Sequence, residues 1–222
     1  MTKQQIKSKK RVADHGEVFT HKREVNAMLD LVKTESFRID SRFLEPACGS
    51  GNFLVEILQR KLTVVEQKYG KNQIEYERYA IIAISSIYGI DLLEDNVKEA
   101  RERLFDIFDK CYTKRYKNNC KNECKESASF ILKRNILCGD ALTLLDNNGK
   151  PIVFSEFSAV NGNMIKRRDF TLDNLLKAEE SKIKGGLFDD IYESDPAFLP
   201  KPIKEYPLTH FLKLASYEQY KL

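Results

Sequence analysis

The sequence contains no long apolar run and no patterned set of cysteines. A membrane-spanning helix needs about 18 consecutive apolar residues, and no such stretch is present. The lysine-rich beginning lacks the apolar segment of a secretory signal. The five cysteines are an odd number without the spacing of a disulfide framework, which favours reduced thiols and a cytoplasmic location. Neither a membrane span nor secretion is therefore expected.

The cysteines also give little support for a metal centre. Cys111, Cys120 and Cys124 lie in a stretch rich in lysine and asparagine, where they could bind zinc together with Cys138. Their spacing contains no Cys-x2-Cys pair, and the stretch contains no histidine. The sequence therefore predicts no metal site.

The chain has only a small excess of positive charge. Lysine and arginine number 37 against 33 acids, a net charge of +4 over 222 residues. This balance permits a polyanionic partner without requiring one. Basic residues cluster at Lys3–Arg11, Lys114–Lys125 and Ile165–Phe170. Each cluster is compatible with solvated surface or with contact to nucleic acid.

Short apolar strands alternate with helical patterns in the first two thirds of the chain. Strands are predicted at Phe43–Glu45, at Ile87–Ile90 ending on Asp91, and at Asn135–Cys138. Apolar residues recur at helical spacing in four stretches: His21–Val32, Phe53–Val65, Tyr79–Ala83 and Val97–Phe108. Strand–helix–strand order of this kind predicts an α/β fold with a parallel sheet and helical crossovers.

The flanking segments have a different character. Residues 1–14 are predicted to form a basic flexible arm, residues 15–145 the core domain, and residues 146–222 a hairpin, a short helix and an irregular region. The hairpin is placed across Asn147–Lys150, with Asn148 and Gly149 in the turn. The short helix is placed at Thr171–Glu180, and Lys110–Lys125 is interpreted as a connection.

The stretch "FLEPACGSGNF" joins the first strand to a helix through two glycines. A phosphate-binding P-loop needs a Lys-Ser/Thr pair after its second glycine, but Gly51 is followed by Asn52. A dinucleotide fingerprint needs a small residue where Leu54 stands. An adenosyl ligand remains, because Gly49 and Gly51 would let it approach the backbone and the helix amides would face its carboxylate.

Three acids follow the predicted strands and support the same interpretation. Glu45, Asp91 and Asp140 end successive strands, whose carboxyl ends form the ligand edge of an open α/β sheet. Asp91 can accept both hydroxyls of a ribose, and Asp140 can accept from an adenine amino group. Singly, each is an ordinary turn acid; together with the glycine turn, they indicate an adenosyl site.

Four stretches, in this order, resemble the motifs of the amino-methylating DNA methyltransferases: "GEVFT", "FLEPACGSGNF", "IYGIDLLEDNV" and "ILCGDAL". The most similar type is the N6-adenine methyltransferase of restriction–modification systems, and the resemblance covers residues 11 to about 145. It implies a Rossmann-like fold that uses S-adenosylmethionine and acts on double-stranded DNA. The sheet is expected to be incomplete, with an irregular C-terminal segment.

The resemblance also assigns cofactor contacts. In this family Phe19 and Thr20 would lie along the methionine part, and Leu92 would pack on the adenine. The family usually has proline after that pair, where His21 stands here, which softens the helix start. The residues implied to bind the cofactor are Phe19, Thr20, Glu45, Pro46, Ala47, Gly49, Gly51, Asn52, Asp91, Leu92, Asp140 and Ala141.

The catalytic motif of the resembled family is not intact. The family needs an Asn/Asp/Ser-Pro-Pro-Tyr/Phe motif that holds the extruded adenine and its amino group. The best candidate is "SDPAFLP", with Asp195, Pro196 and Phe198 as weak catalytic candidates and Ala197 in place of the second proline. A surface proline turn explains the stretch better. The motif is therefore predicted to be degenerate or missing.

The topology of the resembled family raises a second question. There the first strand lies mid-sheet, so its outer edge would stay unpaired here unless residues 151–222 cover it. A second subunit carrying the catalytic or target-recognition half is the other possibility. The alternative function is a non-catalytic S-adenosylmethionine-binding subunit, or a truncated remnant, in a restriction–modification assembly.

Overall fold

The structure is a computed structural model that describes residues 9–15, 20–177 and 200–216. Its helices are α1 (Lys9–His15), α2 (Lys22–Leu31), α3 (Lys33–Phe37), α4 (Asn52–Tyr69), α5 (Gln73–Ser85), α6 (Glu94–Tyr116) and α7 (Asn122–Asn135), with short 3-10 turns at Lys117–Asn119 and Phe211–Lys213. Its strands are β1 (Phe43–Glu45), β2 (Ile87–Asp91), β3 (Ile136–Asp140), β4 (Leu145–Asp146), β5 (Val153–Ala159), β6 (Met164–Thr171), β7 (Lys204–Glu205) and β8 (Thr209–His210). Within the described ranges, no helix is long and apolar enough to cross a membrane.

The first sheet has the order β1-β2-β3-β4. β1, β2 and β3 are parallel, with Phe43 opposite Ile87 and Gly89 opposite Ile136. β4 is antiparallel to β3. The predicted α/β class and the three predicted parallel strands are confirmed.

Helices α4 to α7 bury one face of this sheet. Ile87 of β2 and Ile136 of β3 belong to the main apolar core. The stripe predicted on the long helix is buried at Leu54, Leu58 and Val65, because these positions recur at helical spacing. The main core therefore lies between the parallel strands and their crossover helices.

A β-hairpin covers the second face of the same sheet. Tyr88 and Ile90 form a smaller apolar cluster with Phe154 of β5, and the rings of Tyr88 and Phe154 meet edge to face at 5.3 Å. Leu44 lies opposite Tyr88 in the β1–β2 register but remains 41% exposed. The hairpin thus covers β2 and leaves β1 open.

The described part of residues 151–222 does not cover the outer edge of β1, which was one of the two expectations. Among the described residues β1 pairs only with β2, and the strand containing "PIVFSEF" pairs with β6 instead. Arg42, just before β1, forms an ion pair with Glu156 of β5, so the hairpin also contacts the residue that precedes β1.

The region 110–125 is helical rather than a connection, and that prediction is wrong. α6 continues to Tyr116, and α7 begins at Asn122. The buried ring of Tyr112 explains the difference: its hydroxyl donates to Glu77 and accepts from the Lys121 amide at 2.9 Å. These contacts join residues distant in sequence, which a local charge pattern does not show.

The N-terminal segment also departs from the expected arm. Residues 9–15 form helix α1, and Arg11 of that helix binds Asp95 on α6. A specific ion pair therefore holds this part of the segment against the core. Residues 1–8 lie outside the described residues.

The C-terminal third contains two Asn-Gly turns. The predicted turn at Asn147–Lys150 forms, with Gly149 at φ +72°, but it links β4 only to an isolated bridge at Pro151. The long hairpin β5–β6 turns instead through residues 160–163, where Gly162 has φ +66°. Residues 172–177 are helical, as predicted for their part of the short helix.

Candidate cofactor-binding site

The site begins in the turn that leads from β1 into α4. The Cys48 amide donates to the Ile90 carbonyl at 2.8 Å, and the Gly51 amide donates to the Cys48 carbonyl at 2.8 Å. Gly51 has φ +82°, and a Cβ atom there would lie 3.1 Å from the Cβ of Ala100. Glycine is required on both counts: the left-handed backbone and the close approach of α6.

Asp91, at the end of β2, holds this turn in place. Its Oδ2 accepts from the Gly49 amide at 2.8 Å. Its Oδ1 accepts from the Leu93 amide at 2.9 Å and from Asn96 Nδ2 at 3.1 Å. Since a carboxylate offers about four acceptor positions, roughly one remains for a ligand hydroxyl.

Glu45, at the end of β1, is a half-buried carboxyl group. Burial raises the pKa of Glu45, and a hydrogen bond from the Ala47 amide opposes that rise. Pro46 and Ala47 follow in the same turn with exposed side chains. The turn therefore presents a partly desolvated acid and an accessible backbone to the same edge of the sheet.

Thr20 lies next to the start of α4. Asn52 Nδ2 donates to the Thr20 carbonyl at 3.0 Å. Asn52 is the first residue of α4 and directly follows Gly51. The "GEVFT" motif, which ends at Thr20, therefore contacts the end of the glycine turn. Phe19, its implied partner on the cofactor, lies outside the described residues.

The remaining implied contacts lie at the ends of β2 and β3. Leu92 follows Asp91 with 52% of its surface exposed, although it is a large apolar residue. Cys138 is opposite Asp91 in the register, so Asp140 ends β3 two residues further on and Ala141 follows in the turn. Asp140 Oδ1 accepts from the Leu142 amide at 2.8 Å, which fixes its carboxylate in the turn after the strand.

Two supporting residues escaped the sequence analysis. Arg103 Nη1 donates to the Ser50 carbonyl at 2.5 Å and to Ser50 Oγ at 2.9 Å, so a side chain of α6 holds the glycine turn. Burial lowers the pKa of Arg103, and the charge of Glu99 opposes this decrease. Gly89 lies against Leu54, where a Cβ atom would be 2.7 Å from Cδ1. Gly89 was visible within "IYGID", but nothing singles out Arg103 among the many basic residues of α6.

Gly89 also explains why the third fingerprint position holds a leucine. In a dinucleotide site the small residue is on the helix, where it lets helix and strand approach. Here the large residue Leu54 is on the helix, and the small residue is Gly89 on β2. The helix and the strand therefore pack closely here as well, with the small residue on the strand and the large residue on the helix.

The catalytic candidates Asp195, Pro196 and Phe198 lie outside the described residues. In the part of the chain that the structure describes, no three His, Cys, Asp or Glu side chains are grouped to hold a metal ion. Cys124 is buried in the main core. Burial raises the pKa of Cys124, which keeps its thiol protonated.

Comparison with known proteins identifies the family of the chain. Residues 17–150 match the model of the family described as MmeI, DNA-methyltransferase domain. The matched range covers more than half of the 222 residues, and it includes β1, β2, β3 and the glycine turn. No curated protein and no solved structure matches the chain.

Proposed function

Because the chain belongs to the MmeI DNA-methyltransferase domain family, we propose that it binds S-adenosylmethionine where β1, β2 and β3 end. We further propose that it serves N6-adenine methylation of double-stranded DNA in a restriction–modification system. The observation that carries the proposal is the bond from the Gly49 amide to Asp91, which joins the glycine turn to the acid at the end of β2.

The glycine turn fits the amino-acid part of S-adenosylmethionine. The first intrahelical bond of α4 runs from the Val55 amide to the Gly51 carbonyl, so the amides of residues 52–54 precede it. Amides at a helix N-terminus attract a carboxylate. Glu45, next to them, supplies negative charge for the ammonium and sulfonium groups of the same ligand.

The strand ends fit the adenosine part. The remaining acceptor position of Asp91 would take a ribose hydroxyl, and the exposed side chain of Leu92 would cover one face of the adenine. Asp140 would accept from the adenine amino group. Covering Leu92 would remove apolar surface from water, which favours binding.

When bound, S-adenosylmethionine supplies the methyl group. The described residues bind and orient it, while the contacts that hold a flipped adenine would come from elsewhere. We propose that the Asp195–Phe198 stretch, with Ala197 in place of the second proline, is a degenerate form of the catalytic motif. Methylation would then need a second subunit that carries the catalytic or target-recognition half.

A non-catalytic S-adenosylmethionine-binding subunit is the second candidate. It is favoured by the state of β1, which pairs only with β2 among the described residues and carries the exposed Leu44. A strand edge of this kind is able to pair with another polypeptide.

A methyl-transfer assay distinguishes the two candidates. The purified chain, alone and with proteins that copurify from its source, is incubated with methyl-labelled S-adenosylmethionine and duplex DNA, and N6-methyladenine is quantified. Labelled adenine that Asp195→Ala abolishes and Asp189→Ala retains would establish the enzyme. Cofactor binding without any labelling would support the subunit. Labelling that survives Asp195→Ala would remove the Asp195 stretch from the mechanism.

A further inference from the structure

Arg11 of helix α1 binds the first turn of α6, next to the end of β2 where the cofactor site is proposed. Arg11 Nη1 and Nη2 donate to the two carboxylate oxygens of Asp95, at 2.6 and 3.1 Å. Nη2 also donates to Asn96 Oδ1 at 3.2 Å. A two-pronged guanidinium–carboxylate pair fixes direction as well as distance, and Arg11 is only 24% exposed.

Asn96 connects this contact to the proposed ribose acid. Its side chain is buried, and its Nδ2 donates to Asp91 Oδ1 at 3.1 Å. The amide oxygen of Asn96 is held by Arg11, while its nitrogen is held by Asp91. If the Asn96 amide were flipped, its hydrogen bonds to Arg11 and to Asp91 would both be lost. Arg11 therefore fixes Asn96, and through Asn96 it helps to set the orientation of Asp91.

The other end of the N-terminal segment is anchored on the same edge. The Thr20 carbonyl accepts from Asn52 at the start of α4, whereas Arg11 binds the first turn of α6. The glycine turn leads directly into α4, and Asp91 links the same turn to the start of α6 through Gly49, Leu93 and Asn96. The chain from α1 to Thr20 is thus attached at both of its described ends to elements that hold Asp91 and Gly51.

Charge gives the contact a second role. The first turn of α6 carries Glu94 and Asp95, which follow Asp91 closely in the sequence. Like charges disfavour one another, and the guanidinium of Arg11 offsets the charge of Asp95, with which it pairs. Loss of Arg11 would leave this acidic group less ordered around the ligand position.

We propose that Arg11 is a positioning residue that couples the docking of α1 to occupancy of the adjacent cofactor site. This inference rests on the proposed S-adenosylmethionine site. Docked α1 holds Asn96 and Asp91 in the orientation that accepts the ribose, so the ligand binds that state more tightly. By linkage, the ligand stabilises the docked helix to the same degree.

The first test is calorimetric titration of Arg11→Gln with S-adenosylmethionine. Coupling of the usual size predicts affinity weaker by about fivefold or more. Arg11→Lys keeps the charge but loses the two-pronged geometry, so we expect an intermediate loss. The matched control is Arg23→Gln, an arginine on α2 that is 90% exposed and pairs with its neighbour Glu24. The control should bind like the wild type.

The second test is trypsin cleavage in the wild-type chain. S-adenosylmethionine should slow cleavage after Lys9 and Lys10, and Arg11→Gln should abolish that protection while its far-ultraviolet circular dichroism stays unchanged. A wild-type chain that binds the ligand without protection of α1, together with unchanged affinity in Arg11→Gln, would overturn this inference alone. A folded wild-type chain that does not bind would overturn the proposed function with it.

Discussion

Lys61 is a lysine enclosed in the protein interior. It lies in the middle of α4, where Nζ donates to the Ser41 carbonyl and to Ser86 Oγ. The amine also lies 5.2 Å from the centre of the Phe43 ring. Burial lowers the pKa of Lys61 to about 7, against the opposing charge of Asp40. Both hydrogen bonds can be kept by a neutral amine, which also donates.

Because burial lowers the pKa of Lys61, we expect its contribution to the free energy of unfolding to rise with pH. Between about pH 7 and 10.5 the unfolded chain binds a proton at Lys61 that the folded chain does not. The contribution of Lys61 to the free energy of unfolding should therefore rise by up to about 1.4 kcal/mol per pH unit in that window. The buried thiols of Cys48 and Cys124, whose pKa burial raises, contribute the opposite slope above the pKa of a free thiol. Urea unfolding from pH 6.5 to 9.5 measures the slope. Lys61→Met should flatten it, while Lys68→Met, at an exposed position of the same helix, should leave it as in the wild type.

Gly89 shows how one missing side chain sets the distance between α4 and β2. A Cβ atom there would lie 2.7 Å from Leu54 Cδ1 and 3.1 Å from Cys48 Sγ. Overpacking of a close-packed interior typically costs about 1–3 kcal/mol. Cys48 also belongs to the glycine turn, so strain at Gly89 would reach the site.

Gly89→Ala should lower the free energy of unfolding by about 1–3 kcal/mol in urea titrations. The smaller side chain of Leu54→Ala leaves room for the new methyl, so the same substitution should cost less in that background. A double-mutant cycle gives the coupling between the two positions. Equal cost in both backgrounds would show that Leu54 does not set the limit.

The β5–β6 hairpin is the element that the sequence analysis located least well. Two Asn-Gly pairs, at Asn148 and at Asn161, satisfy the same local turn rule. The pair at Asn161 joins the long strands β5 and β6, because this pairing brings Phe154 of β5 against Tyr88 of β2. That contact links distant parts of the chain. Local signals therefore predicted the parallel strands, whose apolar runs are bounded by turns, but could not choose between the two hairpins.

Phe154 should be the main anchor of this hairpin on the sheet. Its side chain is buried in the smaller cluster, so Phe154→Ala should cost about 3–5 kcal/mol of stability. Phe154→Leu, which keeps most of the volume, should cost less. Thermal and urea unfolding measure both. Leu176→Ala, at an exposed position, is the control and should change stability by no more than about 0.5 kcal/mol. A small effect of Phe154→Ala would mean that the hairpin does not stabilise the sheet.

On the scale of the whole molecule, the fold gives two of the three basic clusters partners or a position that the sequence did not show. In the cluster Ile165–Phe170, Lys166, Arg167 and Arg168 are each paired with a carboxylate at 2.7–3.0 Å. The cluster Lys114–Lys125 lies at the far end of α6, a helix of 23 residues that is about 34 Å long. Sequence showed the clusters, but only the fold shows their partners and their distance from Asp91.

Prediction from sequence was most complete where local rules decide the structure. The sequence predicted that Glu45 and Asp91 end strands, because each follows an apolar run. It also predicted the turn at Gly49–Gly51, because the two glycines stand between a strand and a helical pattern. The roles of Arg11, Asn96 and Arg103 were not, because polar residues on helices acquire partners only through packing.

Calorimetric titration of the purified chain with S-adenosylmethionine tests the cofactor site most directly. We expect the wild type to bind and Asp91→Ala to bind at least tenfold more weakly, because hydrogen bonds to a charged group contribute about 1.5–3 kcal/mol each. Asp106→Ala, an exposed acid on α6, is the matched control and should bind like the wild type. A wild-type chain that is folded by circular dichroism and gives no binding would contradict the proposed site.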